Sequence, residues 1–196
     1  MVVTRRERSI DGEWFEQLYR EQGDPWGFET SPYEQAKYAG TLAALPAARY
    51  AEALEVGCAN GVLTALLAPR CDRLLAVDPS PTALAAARTR CRDLPQVRFE
   101  ERSLPAQTPA GPFDLILLSE VIYYWDGDDL ARMAAYLRGA LRSGGDLLLV
   151  HWTGDTDYPR SGDDAVTELR DLLGDAVVER RGDRHDRYRL DLWRRV

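Results

Sequence analysis

The sequence predicts an α/β fold: a mostly parallel sheet with helices on both faces, ending in an antiparallel hairpin. Three observations predict it. From about residue 50 onward, short apolar runs alternate with amphipathic segments, the pattern of a sheet covered on both sides. The run Phe113–Ser119 is continuously apolar and belongs in the middle of that sheet. In the last run, Tyr188, Leu190 and Leu192 share one face at period two, as a hairpin strand packed on one side requires.

The elements follow in order. Before residue 50 the chain reads as helices and turns. Trp14, Phe15, Leu18 and Tyr19 make an apolar stripe on a first helix. Asp24-Pro25-Trp26-Gly27 is a turn, and Ser31-Pro32-Tyr33-Glu34 is a capping box opening a second helix. Ala53–Gly57 is a first strand, followed by a helix from Asn60 that Pro69 stops near Ala68. Arg73–Asp78 is a second strand. Ser80 then caps a helix with Pro81 at its first position, running to about Arg92. Val97–Glu101 is a third strand and Phe113–Ser119 a fourth. Leu130, Met133, Ala134, Leu137 and Leu141 line one face of the next helix. Gly144-Gly145 turns the chain into the strand Asp146–Trp152. A helix around Asp164–Leu173 and a hairpin of Ala176–Arg181 with Tyr188–Trp193 complete it. With 196 residues the chain is long enough for one domain with a sizeable core. Residues 1–49 are expected as a helical cap and 50–196 as the sheet domain.

Composition narrows the function. The net charge of −7 argues against a nucleic-acid surface, and no apolar run is long enough to span a membrane. Residues 1–10 are charged and lack a signal-peptide stretch, so a cytoplasmic location is expected. The cysteines, Cys58, Cys71 and Cys91, are odd in number and contain no C-x-x-C pair, so neither a disulfide framework nor a zinc site is expected.

A cofactor in such a sheet sits at the carboxyl ends of the strands. There the first strand runs into Glu55-Val56-Gly57-Cys58-Ala59-Asn60-Gly61, a tight strand-to-helix turn bracketed by two glycines. The amides at the start of the following helix are expected to favour a negative group such as a carboxylate. Asp78 ends the second strand at the spacing where a carboxylate takes both ribose hydroxyls. A nicotinamide cofactor wants G-x-G-x-x-G and brings a pyrophosphate, whereas this turn lacks the third glycine and carries Glu55. S-adenosylmethionine, with a sulfonium, an ammonium and no phosphate, suits Glu55. Pro79 can pack on one adenine face, with Ser103-Leu104 on the other side; Ser103 as an ordinary loop residue fits the sequence equally well.

At these residues the chain resembles the class I methyltransferases, and more narrowly the nodulation-factor N-methyltransferases. The stretches that carry the resemblance are Asp24-Pro25-Trp26, Pro32-Tyr33-Glu34, Leu54–Gly61, Leu67–Cys71, Phe113–Ile116 and Ser119–Tyr124. It implies a Rossmann-like, seven-stranded sheet whose last strand is antiparallel. It also implies S-adenosylmethionine contacts from Glu55, Gly57, Asp78 and the Ser103 region, with S-adenosylhomocysteine as product. Ala59 stands where the superfamily commonly has a glycine, and Ser103 where many members have an acid. The narrower family methylates the amine of a deacetylated sugar on a chitin-like oligosaccharide, so an amino sugar or oligosaccharide heads the acceptor classes.

The acceptor must be held in line with the methyl group, and an amine must arrive neutral. Ser119 and Glu120 follow the fourth strand, and Glu120 is the first candidate to hold the amine; a salt bridge or a bond to a loop amide is its other reading. Tyr123, Tyr124 and Trp125 either stack on a sugar or pack under the next helix. His151 ends the fifth strand, either as a base or as a hydrogen-bonded structural histidine. Asp155, Asp157 and Tyr158 shape the acceptor site or form a solvated turn. The cap is expected to cover the methionine end of the cofactor, with Tyr33 and Trp26 as wall residues. Lys37, four residues after Tyr33, either meets a carboxylate or is solvated. The sequence leaves three further readings open: a small-molecule O-methyltransferase, a non-catalytic cofactor-binding scaffold, and a nicotinamide-dependent reductase.

Overall fold

A computed structural model describes residues 4–196. Residues 1–3, the start of the expected cap, lie outside the described residues. The chain divides into two compact units, residues 11–103 and residues 4–10 with 104–196.

In the first unit, α1 spans Gly12–Gln22, α2 Pro32–Ala44, β1 Tyr50–Val56, α3 Val62–Leu67, β2 Cys71–Asp78, α4 Pro81–Arg90 and β3 Val97–Glu101. Local chemistry sets the helix starts. The side chains of Asp11, Ser31 and Ser80 accept from the amides of Trp14, Glu34 and Ala83, three residues on in each case. Pro69 does not stop the third helix outright; the chain passes from α3 through a short 3-10 turn, Ala68–Arg70, into β2. β2 pairs in parallel with both β1 and β3. The apolar positions of β1 and β2, among them Leu54, Leu74, Ala76 and Val77, are almost wholly buried, as expected where helices cover both faces.

The expected division at residue 49/50 is not where the compact units part. The helices α1 and α2 belong to the unit of the first three strands, α1 against α4 and α2 against α3, and Glu16 shows how. Its carboxylate accepts from the Ser80 hydroxyl (2.7 Å), the Thr82 amide (3.0 Å) and the Thr82 hydroxyl (2.7 Å), so α1 caps the start of α4.

In the second unit, β4 spans Phe113–Ser119, α5 Gly127–Ala140, β5 Leu141–Trp152, α6 Gly162–Leu173, β6 Val177–Arg184 and β7 Tyr188–Arg195. β4 pairs in parallel with β5, while β5–β7 and β7–β6 are antiparallel. Gly144-Gly145 is not a turn before the strand but lies inside β5. The register against β4 jumps from Phe113↔Leu141 to Leu115↔Asp146, and Gly144 takes a positive φ of 77° within that irregularity. Residues 5–10 bind this unit directly: the Arg6 amide donates to the Asp157 carbonyl and the Ile10 amide to the Tyr124 carbonyl, each at 2.9 Å.

The seven strands have the order β3-β2-β1-β4-β5-β7-β6, mostly parallel with the antiparallel C-terminal hairpin that the period-two run predicts. Among the described residues no helix is long and apolar enough to cross a membrane.

Candidate functional site

The first unit builds its candidate site around the turn after β1. Gly57, Ala59 and Gly61 all have positive φ (74°, 52° and 79°), so the chain reverses within five residues. Ala59 holds the left-handed conformation despite its methyl group, which explains how the turn forms without a middle glycine. Gly61 is required on a second ground: a Cβ there would lie 2.9 Å from both Cα and Cβ of Ala87 in α4.

The amides of this turn are engaged within the protein. Those of Gly57 and Cys58 donate to the Val77 carbonyl (2.8 and 3.1 Å), that of Ala59 to Asp78 Oδ2 (2.9 Å), and that of Gly61 to the Cys58 carbonyl (2.9 Å). These four donors of the turn are satisfied within the protein; the amides at the start of α3, which the expectation of an anionic group concerns, are a separate set. Three buried side-chain oxygens in and beside the turn lack a hydrogen-bond partner. Glu55 Oε2, Asn60 Oδ1 and Thr64 Oγ1 are buried and unsatisfied; Asn60 Oδ1 can only accept, and so can Glu55 Oε2 once its carboxyl is ionised. Such atoms, in a turn from Glu55 to Thr64 with no cationic side chain, suit a ligand that brings donors or positive charge, not a pyrophosphate.

The two strand-end carboxylates are both buried. Burial pushes the Glu55 carboxyl up to about 8; the neighbouring Thr64 hydroxyl pulls against that rise and the charge of Asp78 adds to it. Burial also pushes Asp78 up to about 6, opposed by the amides of Ser80 and Ala59 that its oxygens accept. Asp78 is thus held rigidly at the end of β2. The Cys58 thiol is buried and pushed well above its usual range by that burial and the nearby carboxylates, so it is inert packing and not a nucleophile.

The structure also places the cap residues of this unit. Pro79 and Ser103 both crowd Gly12, where a Cβ would meet Pro79 Cβ at 2.9 Å and Ser103 Oγ at 2.8 Å, so the start of α1 lies against both. Trp26 is half-buried between Tyr19 (5.8 Å, edge-on) and Phe28 (5.5 Å, stacked). Tyr33 lies under the Lys37 ammonium, 5.3 Å from its ring centre. Asn60 is tied to the cap through Glu29, which accepts from Asn60 Nδ2 (3.4 Å) and forms an ion pair with Arg90.

The second unit builds its candidate site on the ends of β4 and β5. Leu104 is half-buried at the start of this unit and Ser119 is half-buried at the end of β4. Glu120 follows Ser119 with a positive φ of 57°, a strained conformation for a side chain of this size. Its Oε2 accepts from the Tyr123 hydroxyl (2.5 Å) and the Trp152 amide (2.8 Å). Burial and the Glu120 charge push the Tyr123 phenol well above its usual range, so it remains a donor. Tyr123 and Tyr124 pack in a buried aromatic cluster with Tyr158 and His151. Trp125 is buried too, so packing, not sugar stacking, is the role of this run. The aromatic face at this strand end is instead the half-buried Trp152, with Arg187 5.9 Å above its ring. Arg5 donates to the carbonyls of Thr156 (3.1 Å) and Tyr158 (3.3 Å), so the loop of Asp155 and Asp157 is strapped in place.

His151 is not placed as a base. It is fully buried, and its Nε2 faces the amides of Val121 (3.4 Å) and Ile122 (3.3 Å) as their acceptor. The lone pair a base would use is committed to the turn that carries Glu120. Sequence reasoning missed Glu16, Tyr38 and Thr64. It read Glu34 as a capping residue only, although the polar stripe Glu34, Lys37, Tyr38, Thr41 at helical spacing marks a face that α2 buries.

Residues 15–150 match the family model for Nodulation protein S (NodS). The chain belongs to the nodulation protein S family. Over 116 residues it is 38% identical to Nodulation protein S of Bradyrhizobium diazoefficiens, covering 59% of this chain and 54% of that one. The chain spans about half the length of the curated family members it matches. A crystal structure from Pseudomonas syringae, provisionally described as a methyltransferase, is 41% identical, with a TM-score of 0.72 over 83% of this chain and 99% of that one. The N-methyltransferase NodS of Bradyrhizobium japonicum WM9, solved with S-adenosylhomocysteine, superposes with a TM-score of 0.80 at 23% identity. That superposition covers 95% of this chain and 99% of the NodS chain, and at such identity it establishes the shared fold.

Proposed function

We propose that this chain transfers a methyl group from S-adenosylmethionine to the nitrogen of a small-molecule amine, an amino sugar or oligosaccharide first among the acceptors. The observation that carries this reading is the turn after β1: its unsatisfied buried side-chain atoms are oxygens that want donors or positive charge. S-adenosylmethionine offers these and no phosphate. Family membership supports it, as does the S-adenosylhomocysteine bound by the NodS relative. We also place the protein in the cytoplasm, where its cysteines, none of them in a disulfide, remain reduced.

In this reading Asp78 takes the ribose hydroxyls, Glu55 and Asn60 face the amino-acid end, and Pro79 with Ser103 and Leu104 flanks the adenine. When bound, S-adenosylmethionine supplies an electrophilic methyl group on a sulfonium. The other work falls to the protein. Glu120 accepts a hydrogen bond from the acceptor amine, turning its lone pair towards the methyl group and taking up the proton released on transfer. Tyr123 holds Glu120 Oε2 in place. His151 acts by fixing the Glu120 turn.

The test is transfer of isotopically labelled methyl from S-adenosylmethionine to free amino sugars, deacetylated chitin oligomers and simple phenols, with S-adenosylhomocysteine binding measured alongside. Label on the amino-sugar nitrogen is expected. Label on phenols alone would favour an O-methyltransferase, and tight binding with no label on any acceptor would favour a scaffold. Glu120→Gln is expected to slow transfer at least tenfold with S-adenosylhomocysteine affinity unchanged; equal rates would remove Glu120 from the reaction.

A further inference from the structure

The carboxyl end of β5 carries an aromatic ring and a cation that the methyl-transfer reading leaves unused. Trp152 ends β5 half-buried, and Arg187, the residue before β7, holds its guanidinium 5.9 Å from the centre of the indole. The backbone fixes both. The Thr153 amide donates to the Arg187 carbonyl (2.9 Å), and a Cβ at Gly154 would lie 2.6 Å from Trp152 Cε2, so the chain leaves the strand hard against the ring. Most charges of the C-terminal hairpin are matched: Arg181 pairs with Asp183, Arg184 with Asp163, Arg189 with Asp163 and Asp191, and Arg194 with Asp146. Arg187 is exposed and pairs with no carboxylate among the described residues, although Asp186 precedes it directly. A guanidinium over an aromatic face still presents the fork of N–H donors that grips a carboxylate or phosphate bidentately.

Trp152 also joins this cation to the acceptor side of the site. Its amide donates to Glu120 Oε2 (2.8 Å) while its ring lies under the guanidinium, so one residue stands between a carboxylate and an unmatched cation. The chain as a whole carries a charge of −7 and repels anions, so attraction of an anion to this strand end has to be local. We propose that the acceptor carries an oxyanion, a carboxylate or a phosphate, in addition to its amine, and that Arg187 binds this group above Trp152. The inference rests on the amine-methylation reading above and narrows its substrate class to an acidic amino sugar. Glu120 then receives the amine end and Arg187 the anionic end. Arg187 is a binding residue away from the reacting atoms, so its contribution falls on KM and not on kcat.

The test uses the full chain and methyl transfer from S-adenosylmethionine to four acceptors. Glucosamine and a deacetylated chitin oligomer carry no anion, a phosphorylated glucosamine carries a phosphate, and muramic acid a carboxylate. The wild-type protein is expected to show a kcat/KM at least tenfold higher for an acidic acceptor than for the neutral ones, and the better of the two identifies the anion. Arg187→Gln should cut that ratio at least fivefold through KM. Arg180→Gln, at an exposed arginine of β6, should keep the ratio, which separates a site from the overall charge of the hairpin. A wild-type protein that uses the neutral acceptors as well as the acidic ones would overturn the proposal and leave amine methylation standing. So would an equal fall for all four acceptors in Arg187→Gln, or an equal loss of the ratio in Arg180→Gln. No transfer to any of the four, with S-adenosylhomocysteine bound, would overturn the amine-methylation reading and this inference with it.

Discussion

Gly61→Ala is the sharpest test of the turn that carries the cofactor reading. Gly61 has a φ of +79°, where an L-residue costs roughly 1–2 kcal/mol. Its added Cβ would lie 2.9 Å from the Cα and Cβ of Ala87. One is backbone and the other a methyl carbon fixed to it, neither the far end of a flexible side chain, so α3 and α4 must separate by several tenths of an ångström. Overpacking of that kind costs roughly 1–3 kcal/mol. Against this stands about 0.4–1 kcal/mol from the smaller entropy of the unfolded chain. The net expectation is a loss of about 2–4 kcal/mol. For a chain of this length each kcal/mol shifts Tm by about 2–4 °C, so a Tm lower by about 4–16 °C should be seen, with a matching fall in the urea midpoint at constant m. Gly139→Ala is the control: it lies exposed in α5 with nothing within 4 Å of its Cβ position, and should stabilise by about 1 kcal/mol. A Gly61→Ala protein within about 0.5 kcal/mol of wild type would refute both the packing and the turn geometry argued from it.

Three more outcomes follow from the strand ends. The folded Glu55 carboxyl is raised to about 8 from 4.5, so between those values the native state holds a proton that the unfolded state has lost. The stability this gives is fully present below 4.5 and declines, at about 1 kcal/mol per pH unit, as pH rises towards 8; Glu55→Gln should flatten that decline in urea titrations from pH 5 to 8, and an unchanged slope would show that Glu55 is not its source. His151→Leu should destabilise the fold by about 2 kcal/mol through the stranded Val121 and Ile122 amides, yet leave methyl transfer at pH 8 within about threefold, whereas a catalytic base would lose about a hundredfold or more. Asp78→Asn should weaken S-adenosylhomocysteine at least tenfold in calorimetry, and unchanged affinity would take the ribose role from Asp78.

Much of the fold was legible because its signals are local. Ser31, Ser80, Pro32 and Pro81 announce helix starts within three residues of themselves, and the structure uses them so. The apolar runs place β3 and β4 to the residue. What could not be read was whatever depends on distant partners. Gly144-Gly145 carries the same local signal for a turn as for an irregularity within a strand, and only the pairing of β5 with β4 decides between them. For His151 a base and a hydrogen-bonded structural histidine both stayed open, because the amides that donate to it lie 29 and 30 residues away in sequence. The cap helices looked separable from the sheet because the three hydrogen bonds of Glu16 to Ser80 and Thr82 reach 64 and 66 residues along the chain.

The same distinction explains why the glycine turn is easily misread. A glycine turn leading into a helix suggests an anion site, since such turns commonly leave amides unsatisfied at a helix N-terminus. Here α3 is only six residues long, too short to add much dipole, and the turn spends its amides on Val77, Asp78 and its own carbonyl at Cys58. What remains unsatisfied among the side chains is oxygen, and the site's principal charge is a carboxylate so deeply buried that it keeps its proton in neutral solution until something positive reaches it. A ligand carrying an ammonium and a sulfonium can draw that carboxylate into its ionised form, and a dinucleotide cannot. Residue types alone left both cofactors open; the buried, unsatisfied side-chain oxygens of Glu55 and Asn60 favour the one that brings an ammonium and a sulfonium.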